Sequence, residues 1–180
     1  MGWEIAFWTC AAAALYPYLI YPLALAAVAR LWGRPTLSAP GHVVPVSVIV
    51  AAHNEEANIG RRVAELVALV RAAAGGEVIV VSDGSTDATA RAAQVAGWPE
   101  VKVIERPERN GKAAALGAAA AAATGEILVM ADARQTWAPD ALERLLENFA
   151  DPTVGAVSGD LVVEAAPGVM AGVGLYWRLE

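Results

Sequence analysis

From residue 46 onward, short apolar runs alternate with amphipathic segments, and this pattern predicts alternating strands and helices. Strands are expected at 46–52, 77–82, 101–105 and 126–131, with two further short strands at 154–158 and 160–164. Helices are expected from about 57 to 74, after residues 84–87 to about 95, from about 112 to near 125, and from 139 to about 149. Alternating units of this kind form a parallel sheet with right-handed crossovers, so the predicted fold class is α/β.

Polar residues collect where the predicted strands stop. Asp83 and Asp132 each end an apolar run, and the first run ends in His53, Asn54 and Glu55. If the strands follow the common order 3-2-1-4, the winding reverses between the first and the fourth strand, which places these groups on one rim of the sheet. Because ligands of open α/β sheets bind at the carboxyl ends of the strands, the pattern predicts a binding site there.

The N-terminal segment is apolar throughout. Residues 5–29 contain no charge, which is long enough for a helix that crosses a bilayer. A signal peptide is the alternative, but it would have a basic start and a shorter apolar region. Pro17 and Pro22 suggest a kink, and Arg30 and Arg34 favour a cytoplasmic location for the rest of the chain. The expected organisation is a transmembrane helix and flank at 1–34, a proline-containing linker at 35–45 and an α/β domain at 46–180.

Composition narrows the function. Hydrophobic residues make up 57% of the chain, which agrees with a part that lies in lipid, and the net charge of -6 argues against nucleic acid as a partner. Cys10 is the only cysteine, which excludes an internal disulfide and a cysteine-rich zinc site. Neither a glycine-rich dinucleotide loop nor a P-loop is present. A rim lined by carboxylates, with Lys112 nearby, could instead hold a divalent cation that neutralises a diphosphate.

Four segments together resemble the family 2 glycosyltransferases. They are VSVIVAAHNEEANIGRRV, VIVVSDGSTDATARAA, NGKAAALGAAAAAATGEILVMADA and WAPDAL, in that order. The resemblance covers residues 46–160 and implies a GT-A fold, an inverting mechanism and a nucleotide-diphosphate sugar as donor, with a UDP-sugar favoured. The leading apolar helix is similar to the membrane-associated branch of the family, which implies a glycan or lipid acceptor and a role in polysaccharide or cell-envelope biosynthesis.

The resemblance also implies roles for individual residues. Asp83 matches the acidic residue that reads the base, Lys112 lies in the stretch near the nucleotide, and Asp132 matches the first aspartate of the D-x-D metal motif, which binds Mn²⁺ or Mg²⁺. The expected nucleotide-sugar-binding residues are Ala51, His53, Asn54, Glu55, Asp83, Lys112, Asp132 and Arg134. Arg134 occupies the place of the second D-x-D aspartate, which predicts weak metal binding and suggests a direct contact with phosphate.

Other interpretations of these residues stay open. Asn54 and Glu55 could cap a helix, Asp83 and Asp132 could be turn residues, and Lys112 could be a solvated charge. No segment matches the family's catalytic base, which is therefore expected beyond Glu180. A noncatalytic, membrane-anchored protein that binds nucleotide sugars is the main alternative function. A nucleotidyltransferase is a weaker one, because a glycine-rich loop would be expected after the first strand.

Overall fold

In a computed structural model the chain divides into two compact units, Met1–Leu37 and Ser38–Glu180. The structure describes residues 2–73, 75–94 and 98–160. The first unit is helical, and the second contains the parallel sheet.

The N-terminal unit is one helix with an irregular centre. Helix α1 (Gly2–Leu15) continues through a π-helical segment (Tyr16–Ile20) into helix α2 (Tyr21–Trp32). Pro17 lacks an N–H group, and it lies at the start of the π-helical segment, where the hydrogen-bonding pattern changes. By length and composition this 31-residue helix is long and apolar enough to cross a membrane.

The second unit is built on a four-stranded parallel sheet. Its strands are β1 (Val46–Ala52), β2 (Gly76–Asp83), β3 (Val101–Arg106) and β4 (Ile127–Asp132), in the order β3-β2-β1-β4. The predicted strand order is therefore confirmed. Its helices are α3 (Glu56–Ala73), α4 (Thr89–Gln94), α5 (Lys112–Ala122) and α6 (Ala141–Leu146), which a 3-10 turn (Glu147–Ala150) follows.

Helices cover both faces of the two central strands. On one face, Val63, Leu66 and Val70 of α3 pack in the same buried cluster as Val48 and Val80 of the sheet. The opposite face belongs to α5, where Ala115 and Ala119 pack against Ile49, Ile79 and Val81. Methyl side chains let this helix lie close to the strands. The two cores hold β1 and β2 rigidly, and with them the loops that leave their carboxyl ends.

One expectation about the C-terminal part is wrong. The sequence predicts a strand at 154–158, but the described residues 154–160 have no regular secondary structure. A β-strand needs a neighbour for its N–H and C=O groups, and local residue preference does not supply one. Most of the second expected strand, 160–164, lies outside the described residues.

Candidate functional site

A cleft of about 510 Å³ opens at the rim where β1 and β4 end. The parallel register aligns Ala51 with Asp132 and with Val81, so the strand ends arrive side by side. All the predicted site residues except Asn54 line this cleft. The lining residues are Ala51, Ala52, His53, Glu55, Asp83, Arg109, Gly111, Lys112, Ala115, Asp132, Ala133, Arg134 and Gln135. The topology thus gathers groups that lie far apart in sequence.

Asn54 instead joins two loops beside the cleft. It adopts a left-handed backbone conformation with φ of 53°, which asparagine tolerates better than most residues. Its Oδ1 accepts a hydrogen bond from the N–H of Thr86 at 2.9 Å. The N–H of Glu55 in turn donates to Oγ1 of Thr89 at 2.8 Å. These contacts between loop 53–55 and loop 84–89 orient the start of α3.

Asp83 is 4% exposed and holds the basic loop 106–112 in place. Its carboxylate accepts hydrogen bonds from the backbone N–H groups of Asn110, at 3.1 Å, and Gly111, at 2.7 Å, and forms an ion pair with Arg106 at 3.5 Å. Burial raises the pKa of Asp83, but the two N–H bonds and the charge of Arg106 outweigh it, so the pKa lies below its ordinary value. In this structure the carboxylate of Asp83 therefore stabilises the conformation of the loop that carries Lys112.

Gly84 lets loop 84–89 and loop 106–112 approach each other closely. Its φ is +62°, and a Cβ atom there would lie 2.4 Å from the backbone nitrogen of Arg109. His53 adds a further link, because its Nδ1 lies 2.8 Å from the carbonyl oxygen of Asp83. Contacts to backbone groups thus connect the loops that line the cleft.

Two ion pairs span the rim. Nζ of Lys112 lies 2.5 Å from Oδ1 of Asp132, and Nε of Arg134 lies 2.7 Å from Oε1 of Glu55. The Lys112 and Arg134 side chains are 64% and 76% exposed, whereas that of Glu55 is 10% exposed. Exposed ion pairs contribute little to stability, so Lys112 can leave Asp132 for a more highly charged ligand at low cost. If Arg134 leaves Glu55, the carboxylate of Glu55 keeps a hydrogen bond of 2.9 Å from Nδ2 of Asn58.

The described residues do not form a metal site by themselves. Among residues 2–73, 75–94 and 98–160, no group of three His, Cys, Asp or Glu side chains could hold an ion. Asp132 supplies one carboxylate, and Arg134 brings a positive charge to the position where the D-x-D motif has its second. Since Mg²⁺ is commonly held by one or two carboxylates together with substrate phosphates, Asp132 could serve as the protein ligand of an ion that a diphosphate also binds.

Arg109 and Gln135 line the cleft but are not among the residues that the sequence predicts for the site. Arg109 belongs to loop 106–112, and the cluster of basic residues in this loop is the sequence signal that could have identified it. Nothing in the sequence pattern distinguishes Gln135. Its place in the cleft results from the path of the chain after β4.

In open parallel α/β sheets, ligands bind at the rim where the direction of winding reverses, which here lies between β1 and β4. The sequence profile described as Glycosyl transferase family 2 matches residues 47–168. The chain therefore belongs to this family, and its GT-A fold and the resemblance seen in the sequence are both confirmed.

Known glycosyltransferases match large parts of the chain. The mannosyltransferase PcManGT from Pyrobaculum calidifontis, solved with GDP-Man and Mn²⁺, superposes with a TM-score of 0.65 and 35% identity over 79% of this chain and 44% of its own. The beta-monoglucosyldiacylglycerol synthase of Synechocystis sp. is 36% identical over 68% of this chain, which spans 27% of that enzyme. An N-acetylglucosaminyltransferase of Bradyrhizobium elkanii is 30% identical over 86% of this chain and 91% of its own length.

Proposed function

We propose that this chain carries the donor-binding part of an inverting glycosyltransferase, which transfers a sugar from a nucleotide-diphosphate sugar to a glycan or lipid acceptor at a membrane. One observation carries the proposal. The cleft collects residues of the first, second and third family-like segments at the carboxyl ends of β1, β2 and β4, where a ligand of such a sheet binds.

The two exposed cations of the rim would bind the diphosphate. Lys112 and Arg134 both line the cleft, each paired with a carboxylate in the free protein. A guanidinium fork suits phosphate oxygens, and a lysine provides a compact charge. On donor binding the cations exchange Asp132 and Glu55 for phosphate oxygens. Arg109, on the loop that Asp83 holds, would add a third positive charge.

The reaction would be a single displacement at the anomeric carbon. The acceptor hydroxyl oxygen forms the new glycosidic bond as the bond to the diphosphate breaks, and the hydroxyl proton passes to a general base. The cations of the cleft stabilise the negative charge that develops on the leaving diphosphate. A divalent cation held by Asp132 and the diphosphate would neutralise further charge.

The N-terminal helix would place this reaction at a membrane. Helix Gly2–Trp32 is long and apolar enough to span one, and Arg30 and Arg34 at its C-terminal end favour a cytoplasmic α/β domain. Lipid-linked and growing glycan acceptors are found at such a surface. The Synechocystis relative is a beta-monoglucosyldiacylglycerol synthase, named for a glycolipid product, and this supports an acceptor of this kind.

Nucleotide binding by the full chain in detergent tests the proposal. UDP, GDP, ADP and their sugar conjugates are titrated by calorimetry with and without Mn²⁺, beside pyrophosphate and citrate as unrelated anions. One nucleoside diphosphate is expected to bind preferentially, and equal affinity for all these anions would contradict the proposal.

A pair of lysine variants locates the binding site. Lys112→Met is expected to weaken binding about tenfold or more, because a charged hydrogen bond is lost. Lys102→Met removes the same charge from a side chain that instead contacts the carbonyl oxygen of Ala122, and it should have no effect. Equal effects of both variants would show that binding does not depend on the cleft.

A second candidate, a membrane-anchored protein that binds nucleotide sugars without turnover, is favoured by one observation. Each described carboxylate that lines the cleft has a partner: Glu55 has Arg134, Asp83 has backbone N–H groups and Asp132 has Lys112. None of the three is thus an evident free base. Release of nucleoside diphosphate from a radiolabelled donor, with membrane lipids as acceptor, distinguishes turnover from binding alone.

A further inference from the structure

Arg62 is a fully buried charged residue that does not line the cleft. It lies on α3 with no exposed surface, next to the buried Val63 of the same helix. Burying a guanidinium is costly unless its contacts are well placed, so the partners of this side chain indicate its role.

The first partner is the backbone of Asp132. Nε of Arg62 donates a hydrogen bond of 3.0 Å to the carbonyl oxygen of Asp132. Asp132 is the last residue of β4, and the pairing of β4 with β1 ends at this position. Arg62 therefore holds the end of β4 at the position where pairing with β1 ends.

The second partner is Trp137, five residues further on. Nη1 of Arg62 lies 2.9 Å from Oε1 of Glu65, and the same oxygen accepts a hydrogen bond of 2.6 Å from the backbone N–H of Trp137. The guanidinium carbon also lies 4.8 Å from the centre of the Trp137 ring, within the range of a cation–π contact. We call Arg62, Glu65 and Trp137 the α3 clasp.

The α3 clasp holds both ends of segment 132–137, whose residues 135–137 have no regular secondary structure. Between the two ends lie Ala133, Arg134 and Gln135, which line the cleft. The directions of the Asp132 and Arg134 side chains depend on the path of this backbone, which the clasp holds together with the buried Ala133 and a weaker contact from Arg61 to Thr136, at 3.4 Å.

We propose that Arg62 is a positioning residue of the donor site. Through the carbonyl of Asp132, and through Glu65 and Trp137, it sets where Asp132 and Arg134 meet a nucleotide diphosphate. The inference rests on the proposed function for its ligand, but the contacts of the clasp exist in the free protein. A misplacement of the reacting or binding groups by a fraction of an ångström is enough to weaken such a site.

Two variants of Arg62 and a matched control test this role in the full chain. Arg62→Met keeps an unbranched apolar side chain but removes every polar contact, and Arg62→Lys keeps the charge without the planar fork. The control is Arg71→Met on the same helix, which removes an arginine paired with Glu100 at 2.8 and 2.9 Å. Amide hydrogen exchange of peptide 131–138 is measured without ligand. The Kd values for UDP and GDP are measured with and without Mn²⁺.

Arg62→Met is expected to accelerate exchange in peptide 131–138, to raise the Kd about tenfold or more and to abolish the gain from Mn²⁺. Arg62→Lys should recover part of all three properties, since it keeps the charge beside Glu65 and Trp137. Arg71→Met should leave the Kd within about twofold, as surface changes do. A merely structural role would lower the melting temperature in both Arg62 variants without changing the effect of Mn²⁺ on binding.

The outcomes separate the two proposals. A folded Arg62→Met protein with unchanged Kd and unchanged Mn²⁺ effect overturns the positioning role while the proposed function stands. Absence of nucleotide binding by the unmodified chain overturns the proposed function, and with it the role of Arg62 at a donor site. If neither Arg62 variant folds, Glu65→Gln decides by the same measurements: it keeps an acceptor for Trp137 but removes the charge beside Arg62, and an unchanged Kd overturns the role.

Discussion

Substitution of the two residues of the Arg134–Glu55 ion pair should change nucleotide-diphosphate affinity in opposite directions. The Arg134 side chain is 76% exposed, and Glu55, which is 10% exposed, also accepts a hydrogen bond from Nδ2 of Asn58, so we take about 1 kcal/mol for the ion pair in the free protein. A hydrogen bond from a guanidinium to a charged group is worth about 1.5–3 kcal/mol. After subtraction of the pair that must break, Arg134→Ala should cost roughly 0.5–2 kcal/mol of diphosphate binding, or about two- to thirtyfold in Kd.

Glu55→Gln should act in the other direction. It removes the charge that holds Arg134 in the free protein, while an amide oxygen can still accept the hydrogen bond from Nδ2 of Asn58. Nucleotide diphosphate should then bind with unchanged affinity or up to about fivefold more tightly, because no ion pair has to break.

Calorimetric titration of nucleoside diphosphate into the two variants, at low and at physiological salt, measures both effects. Arg144→Ala is the matched control: its side chain is 74% exposed and its Nε also pairs with a carboxylate, that of Asp140 on the neighbouring turn. The control should bind as the unmodified chain does. If Arg134→Ala also stays within about 0.5 kcal/mol, Arg134 does not contact the diphosphate and the proposed exchange of partners is wrong.

The rim and the sheet lead to three other predictions. Asp132→Asn should abolish the cooperativity between Mn²⁺ and nucleoside diphosphate in calorimetry, whereas Arg134→Asp, which restores the D-x-D pattern, should make binding more dependent on Mn²⁺. Gly84→Ala should lower the free energy of unfolding by about 1–3 kcal/mol in denaturant titrations, since φ is +62° and the new Cβ would meet the backbone of Arg109. Burial raises the pKa of Glu77, but hydrogen bonds from Ser47 and Thr124 bring it below 4.5. Ionised Glu77 therefore contributes to stability above its ordinary pKa, and this contribution is lost as the pH falls through the lower pKa of the folded state. Glu77→Gln should consequently reduce the loss of stability that occurs below about pH 4.5.

The sequence by itself determined the four strands of the sheet and the rim at which a site forms, whereas their order was assumed to be the common 3-2-1-4, which the structure confirms. Apolar runs such as 46–52 and 77–82 are buried on both faces and have few alternatives to a parallel strand, and the polar residues that end them must then share one edge. Asp83 and Asp132 were placed correctly at that edge for this reason. The segment 154–158 had the same apolar character, but strand formation also requires a neighbour, and the described structure pairs none with it.

Only the tertiary structure decided which side chains are partners. Arg134 pairs with a carboxylate 79 residues away, Asp83 bonds to backbone N–H groups 27 and 28 residues away, and Arg62 reaches the carbonyl of a residue 70 positions along the chain. In the sequence, Arg62 is one of two adjacent arginines on an amphipathic helix and looks no different from a solvated charge. Its burial depends on how α3 rotates over the sheet and where the chain turns after β4, and hydrophobic periodicity constrains neither to within the reach of a hydrogen bond.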